Sequence, residues 1–318
     1  MSHIAWMQEG KLERAHVGGK GASLSDLIAG GFPVPEGFCV TADGYRYFVS
    51  SSGIESQIEK LLADADLSSP ATAREAAERV SELVASAPLP DDLRQEISQA
   101  YEKLVEKTGF AVAVRSSAIS EDGASSSFAG LYETYLNVRG VDHVLESVGR
   151  CYASLWSERA VRYRANRTSN DMDEAMAVVI MGLVPSDTSG IAFTAHPVTG
   201  DRNQVVINSS WGLGEAIVSG RVTPDCFVVN KDTLAIVERE IYPKEIAVFS
   251  DPAGGGTIEQ DLSPAQARAP SLTDEEACAV AGMAAKVEVH YGLPQDIEWG
   301  MHAGTLYLLQ ARPITTLG

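Results

Sequence analysis

The sequence predicts an α+β protein of two subdomains, on three observations. At 318 residues with 45% hydrophobic content, the chain can bury two cores, since domains usually hold about 100 to 200 residues. Its apolar spacing is mostly helical up to about residue 110, whereas short strand-like runs dominate from Gly190 onward. No run approaches the roughly 18 apolar residues of a membrane helix, and the N-terminal segment lacks a signal-peptide core. A cytoplasmic location is expected, with no membrane partner.

Each element follows from local chemistry. Residues 18–31, GGKGASLSDLIAGG, read as a glycine loop opening a short helix that Gly30 and Gly31 stop. The turn FPVPEGF leads to a strand near 38–41. Helical patterns follow at about 55–63, 71–86 and 91–107, the last two separated by APLP. Strands are expected at 111–115 and 133–138, then an amphipathic helical region at 141–165 and a strand at 176–184. The change of character near 185–190 gives subdomains 1–187 and 188–318. Beyond it, GIAFTAHP, QVVINSS, DCFVVNK, LAIVEREI and IAVF read as short strands, and SDPAGGGTIEQDLSPAQARAPS as a loop. TDEE starts a helix at 273–290 with a capping-box pattern, and DIEWGMHAGTLYLLQARPI closes the sequence as a hairpin.

The formal net charge of −18 opposes generic binding to nucleic acid or to an anionic membrane face. An anionic ligand would need a few placed cations within an acidic whole. Cys39, Cys151, Cys226 and Cys278 form no CxxC and are expected to be buried small hydrophobes. The sequons at Asn166 and Asn208 carry no weight without a secretory signal.

The hairpin holds the most chemistry. Gln310 and Arg312 share a face because they are two residues apart. A turn centred on Ala303 opposes Glu298 to Leu308; one centred on Gly304 opposes it to Gln310 and groups Asp296, Glu298, Gln310 and Arg312. Carboxylate, amide oxygen and guanidinium side by side suit Mg²⁺ and phosphate together; a solvated edge hairpin is the alternative. Three glycine-containing loops could meet phosphate: VGGKG with Lys20, RSSAISEDGASSSFAG with Arg115, and SSWGLGEAIVSG. None is a P-loop, since Arg14 stands where its first glycine would be, and GLGEAI lacks the third glycine of a dinucleotide fingerprint. Each alone also fits a plain turn. Together with the hairpin they point to a nucleoside triphosphate in a cleft between subdomains.

The blocks VGGKGASLSDLIAGGFPVPEGFCVTADGYRYF, VAVRSSAISEDGASSSFAGLYETYLNV, SDTSGIAFTAHPVTG, SSWGLGEAIVSGRVTPDCFVV and HYGLPQDIEWGMHAGTLYLLQARPI run in order from about 16 to 314. They resemble the ATP-binding domain of the phosphoenolpyruvate synthase, pyruvate phosphate dikinase and rifampicin phosphotransferase family. The resemblance implies an ATP-grasp-like fold whose two subdomains clamp ATP and Mg²⁺. By matching motif it implies that Lys20 and Arg115 contact phosphates and that Gly130 and Thr134 lie along the triphosphate. Glu298 and Gln310 would hold Mg²⁺, and Arg312 would neutralise the transferring phosphoryl group. Glu215 matches a further family motif. Two departures stand out: Met181 sits where the family usually has a nucleoside-holding glutamine, and Leu131–Tyr132 replace a Gln-Gln pair after SFAG.

Family members continue into a swivelling domain whose histidine takes phosphate from ATP, and into a domain that holds the final acceptor. None of the six histidines here lies in a phosphocarrier loop, so those partners are expected in the same longer protein or in a separate subunit. The expected reaction yields AMP and phosphate, with transfer to pyruvate or a drug hydroxyl. A self-contained kinase or ligase, and a nucleotide sensor favoured by Met181, are the alternatives. The loop Ser116–Phe128 is expected to be a mobile flap over the triphosphate.

Overall fold

A computed structural model describes residues 2–109, 111–120, 132–165 and 174–315. The chain divides into two compact units, one of residues 1–26 and 36–183, the other of residues 27–35 and 184–318.

The first unit begins with strand β1 (Ile4–Trp6) and helix α1 (Arg14–Ala29), which continues into the second unit. Then come β2 (Gly37–Val40), α2 (Ala42–Ser51), α3 (Glu55–Ala63), α4 (Pro70–Ser86) and α5 (Asp91–Thr108). The unit is completed by β3 (Val112–Ala118), β4 (Thr134–Val138), α6 (Val141–Ser154), α7 (Glu158–Ala165) and β5 (Met176–Gly182). Helices α4 and α5 form where the apolar period is helical. Pro70 stands in the first turn of α4, Asp91 and Asp92 lie in the first turn of α5, and Gly109 ends α5 with φ 63°. Their inward stripes, including Ala77, Val80 and Val84, and Leu93, Ile97, Tyr101 and Leu104, join one core.

The five strands pair antiparallel in the order β1-β2-β5-β3-β4. Alternation sends Phe38, Val40, Val112, Val114, Met176, Val178 and Ile180 into the helical core. Cys39, Ala113, Arg115, Ser117, Ala177, Val179 and Met181 occupy the other face and are also buried. Helix α1 covers part of that face: Ser117 Oγ donates to Val17 O at 2.8 Å and accepts from Gly21 N at 3.2 Å. Double-sided burial explains why β5, MAVVIMG, is an unbroken apolar run.

The second unit contains β6 (Thr188–Phe193), β7 (Gln204–Trp211), α8 (Glu215–Val218), β8 (Asp225–Asn230), β9 (Ile236–Glu240), β10 (Ile246–Ser250) and β11 (Thr257–Asp261). It ends with α9 (Pro264–Arg268), α10 (Asp274–Tyr291), β12 (Gln295–His302) and β13 (Thr305–Pro313). A six-stranded antiparallel sheet runs β13-β12-β6-β7-β8-β9, and β10 pairs with β11 separately. Helix α10 opens with the capping box Thr273/Glu276 and stops at Gly292, φ 71°. Its apolar stripe packs on Ala192, Val205, Ile207, Phe227, Ile297, Trp299 and Leu308, one face of the large sheet.

Several expectations need correction. Ser116 and Ser117, expected in a flap, belong to β3, because Ser116 Oγ donates to Glu133 O at 2.7 Å and Ser117 is bonded as above, while residues 121–128 of that expected flap lie outside the described residues. Hydroxyls that signal a loop in sequence are satisfied here within a strand. The loop expected at 250–271 contains β11 and α9, and α2 and β1 were not expected. Cys39 and Cys151 are buried, but Cys226 and Cys278 are only partly so. Asn208 lies in β7, paired with Ile191 and Cys226, while Asn166 falls outside the described residues. Among the described residues no helix is long and apolar enough to cross a membrane.

Candidate functional site

The clearest site geometry lies on β12 and β13. The hairpin turns through Ala303 and Gly304, both at positive φ (48° and 76°), and pairs His302 with Thr305. This is the two-residue, doubly left-handed turn that suits the twist of hairpin strands. From that turn alone Glu298 would oppose Leu309, and Gln310 would oppose Ile297 on the core face. A register shift between Glu298 and Trp299 intervenes: Trp299 opposes Leu308, but Glu298 opposes Gln310. One extra residue in β13 turns Gln310 and Arg312 away from α10 to join Glu298 and Asp296. The expected grouping is therefore present, produced by a two-residue turn plus a bulge rather than by a longer turn.

On this face Gln310 is 6% exposed and Glu298 is half-buried. Arg312 donates to Asp296 Oδ2 from Nε at 2.9 Å and from Nη2 at 2.8 Å. The next position along β12 is Gly300, where a Cβ would lie 2.4 Å from Ser186 Oγ. Among the described residues no group of three or more His, Cys, Asp or Glu is placed to hold a metal ion. Glu298 and Gln310 bring one carboxylate and one amide oxygen to opposed positions. That donor set fits Mg²⁺, which takes hard oxygens and commonly keeps only one or two protein ligands beside phosphate and water.

The other expected residues lie in the first unit. Arg115 opposes Thr134 on β4 and Val179 on β5, so the guanidinium and the Thr134 hydroxyl share a face. Arg115 is only 8% exposed, and charge at that depth is weakly screened. Cys39 lies in the same cross-strand row, opposite Val179, and burial pushes its thiol up to about 12. Met181 is buried between Gly37 and Ala113 on the adjacent strands. Lys20 lies in α1, two residues after a kink at Gly18. Gly130 and Leu131 fall outside the described residues, and Tyr132 packs against the helical core.

The glycine loops owe much of their composition to the chain's own backbone. Gly18 has φ 69°, and a Cβ there would lie 2.0 Å from Ser117 O. At Gly21 it would lie 2.9 Å from Cys39 Sγ, and at Gly212, φ 75°, 2.2 Å from Val248 O. Sequence reasoning assigned this side-chain poverty to phosphate; at these three positions close packing already requires it. Glu215 is engaged within its unit: it pairs with Arg221 at 3.0 Å and accepts from Thr257 Oγ1 at 2.9 Å. Arg221 also reaches Glu259 at 2.9 Å, tying α8 to β11.

Residues 14–318 match the family described as pyruvate phosphate dikinase, AMP/ATP-binding domain. The chain belongs to that family. Among curated relatives of this dikinase-domain chain, a phosphoenolpyruvate synthase from Pyrococcus furiosus is 41% identical over 99% of the chain and 44% of its own length. A probable phosphoenolpyruvate synthase from Methanocaldococcus jannaschii is 40% identical over 100% of the chain and 27% of its own length. Another, from Methanothermobacter thermautotrophicus, is 38% identical over 100% of the chain and 47% of its own length. The chain thus spans less than half of each of these relatives.

Proposed function

We propose that this chain is the ATP-binding and ATP-cleaving part of a dikinase-type phosphotransferase of the phosphoenolpyruvate synthase kind, acting in the cytoplasm. It would pass phosphate from ATP to a histidine on a swivelling partner domain and onward to a small acceptor such as pyruvate, with AMP and phosphate formed. The observation that carries the reading is the hairpin register, which opposes Glu298 to Gln310 beside Arg312. Family membership supports the nucleotide.

In this reading the fold is ATP-grasp-like, with subdomains 1–187 and 188–318 supplying residues to one nucleotide. Lys20 and Arg115 bind phosphate oxygens, Thr134 lies along the triphosphate with Gly130, and Met181 borders the nucleoside. Glu298 and Gln310 would hold Mg²⁺, whose chemistry is to neutralise charge on the phosphates. Arg312 stabilises charge on the transferring phosphoryl group. Phosphoryl transfer asks a protein mainly for positioning and charge neutralisation, and cations held on rigid elements, Arg115 and Arg312 on strands and Lys20 on a helix, would supply both.

The test is to incubate the protein with ATP labelled separately at the β and γ positions, with and without a phosphohistidine domain. Label moving to the histidine, with AMP formed, is the expected result. ADP formed without any partner would replace the reading with a direct kinase. Binding without turnover under all conditions would favour a nucleotide sensor, the reading that apolar Met181 at the nucleoside position supports.

A further inference from the structure

We infer that Asp296 is a positioning residue for Arg312, holding the guanidinium in the orientation that meets the terminal phosphates of ATP; this rests on the functional reading above. Arg312 sits near the end of β13, an edge strand, with its side chain 32% exposed. A long cation there loses side-chain conformational entropy when it is fixed. Unless that loss is met beforehand, it falls on phosphate binding.

Asp296 meets it. The residue stands directly across the ladder from Arg312, and its side chain is only 13% exposed. Its Oδ2 accepts from both Nε and Nη2, at 2.9 and 2.8 Å. Two donors on one acceptor direct the Nε/Nη2 edge of the guanidinium at Asp296 and leave its other edge turned away. Asp296 itself is set by the ladder, since its backbone is paired on both sides, with Phe193 of β6 and Arg312 of β13. The rigid partner therefore holds the flexible one. The bulge at Glu298/Trp299 is what brings the two into opposition.

The alternative role for a carboxylate beside a phosphate-binding arginine is to compete with the phosphate for it. The two roles have opposite signs. If Asp296 competes, its neutralisation strengthens ATP binding; if it positions Arg312, its neutralisation weakens ATP binding and leaves AMP, which lacks the distal phosphates, unaffected.

The experiment measures Kd for ATP and for AMP, each with Mg²⁺, by calorimetry on the full chain and on D296N, R312K and D296N/R312K. Losing the orientation of a charge-assisted contact should weaken ATP about tenfold or more, with AMP changed less than about twofold. Because Asp296 acts through Arg312, the double variant should bind ATP no more weakly than R312K within about a factor of two. D296S carries the same test should D296N fail to fold, which melting curves decide. Tighter or unchanged ATP binding in D296N, or losses that multiply in the double variant, overturn the positioning role while leaving the functional reading intact. A wild-type chain that binds no ATP overturns that reading and this inference together.

Discussion

Lys244 and Asp225 are each fully buried in the second unit, with Nζ 2.5 Å from Asp225 Oδ1. Asp225 is the last residue of β8 to pair with β7, opposite Ser209, so the pair sits at the neck of the excursion that carries GLGEAI. Tyr242 N donates to Asp225 Oδ1 at 3.1 Å. Ser271 donates to Oδ2 from N at 2.7 Å and from Oγ at 2.8 Å. Lys244 also donates to Tyr242 O at 2.9 Å. Removing one partner of a buried pair costs about 3 to 5 kcal/mol, because the other charge stays in low dielectric. Lys244→Met should fall at the lower end, about 3 kcal/mol, since the carboxylate keeps three neutral donors. Asp225→Ala should fall at the upper end, since the ammonium keeps only a carbonyl. The double variant should cost less than the sum by about 2 kcal/mol, because no charge is left stranded.

The assay is native-state hydrogen exchange at the amides of Tyr242 and Ser271, which report opening at this neck. Lys244→Met should raise their opening constants about a hundredfold, at about 1.4 kcal/mol per tenfold. A change below about fivefold, or strict additivity in the double variant, would show that the pair is not what holds the neck.

Three further outcomes are expected. Glu298→Ala and Arg312→Ala should abolish ATP turnover while shifting the melting temperature by no more than about 2 °C, because both lie on the face away from the α10 core; wild-type rates in either would refute the hairpin assignment. Gly18→Ala should destabilise the first unit by about 2 to 4 kcal/mol in urea titration, because its Cβ would strike Ser117 O in a left-handed backbone. Burial raises the thiols of Cys39, to about 12, and Cys151. Both should resist alkylation at pH 8 in the folded protein while Cys226 and Cys278 react faster. Since the folded thiol pKa lies above the unfolded one, this stabilisation is complete below about pH 9 and is lost as pH rises towards 12; stability that does not fall across that window would refute the assignment.

Much of the fold was legible because local signals agreed with tertiary packing. The α10 cap TDEE, the stop at Gly292, and the helices at 55–63 and 91–108 follow from patterns spanning a few residues. The missed elements were those whose local chemistry points elsewhere. Strand β11, TIEQD, follows a glycine run and is held by its pairing with β10. Ser116 and Ser117 read as loop, yet their hydroxyls bond to Glu133 and Val17, contacts across distant sequence. Of the candidate site, residue types and spacing named Lys20, Arg115, Glu298, Gln310 and Arg312, since few cations and amides stand in strand or glycine contexts of so acidic a chain.

By itself the sequence determined the mixed helix and strand content and the family, and it named the residues proposed here to meet phosphate and a hard cation. It also confined the chemistry of the last strands to one alternating set, because side chains two apart must share a face. Only the tertiary structure decided which face that was. The turn at Ala303–Gly304 alone would have sent Gln310 and Arg312 towards Ile297 and Gln295; the single-residue bulge reversed them and brought Arg312 to Asp296. A register error of one residue exchanges the core face for the opposite one, and what settles it is the burial of Ala311 opposite Ile297 in the α10 core, an energy summed over contacts that no local spacing contains.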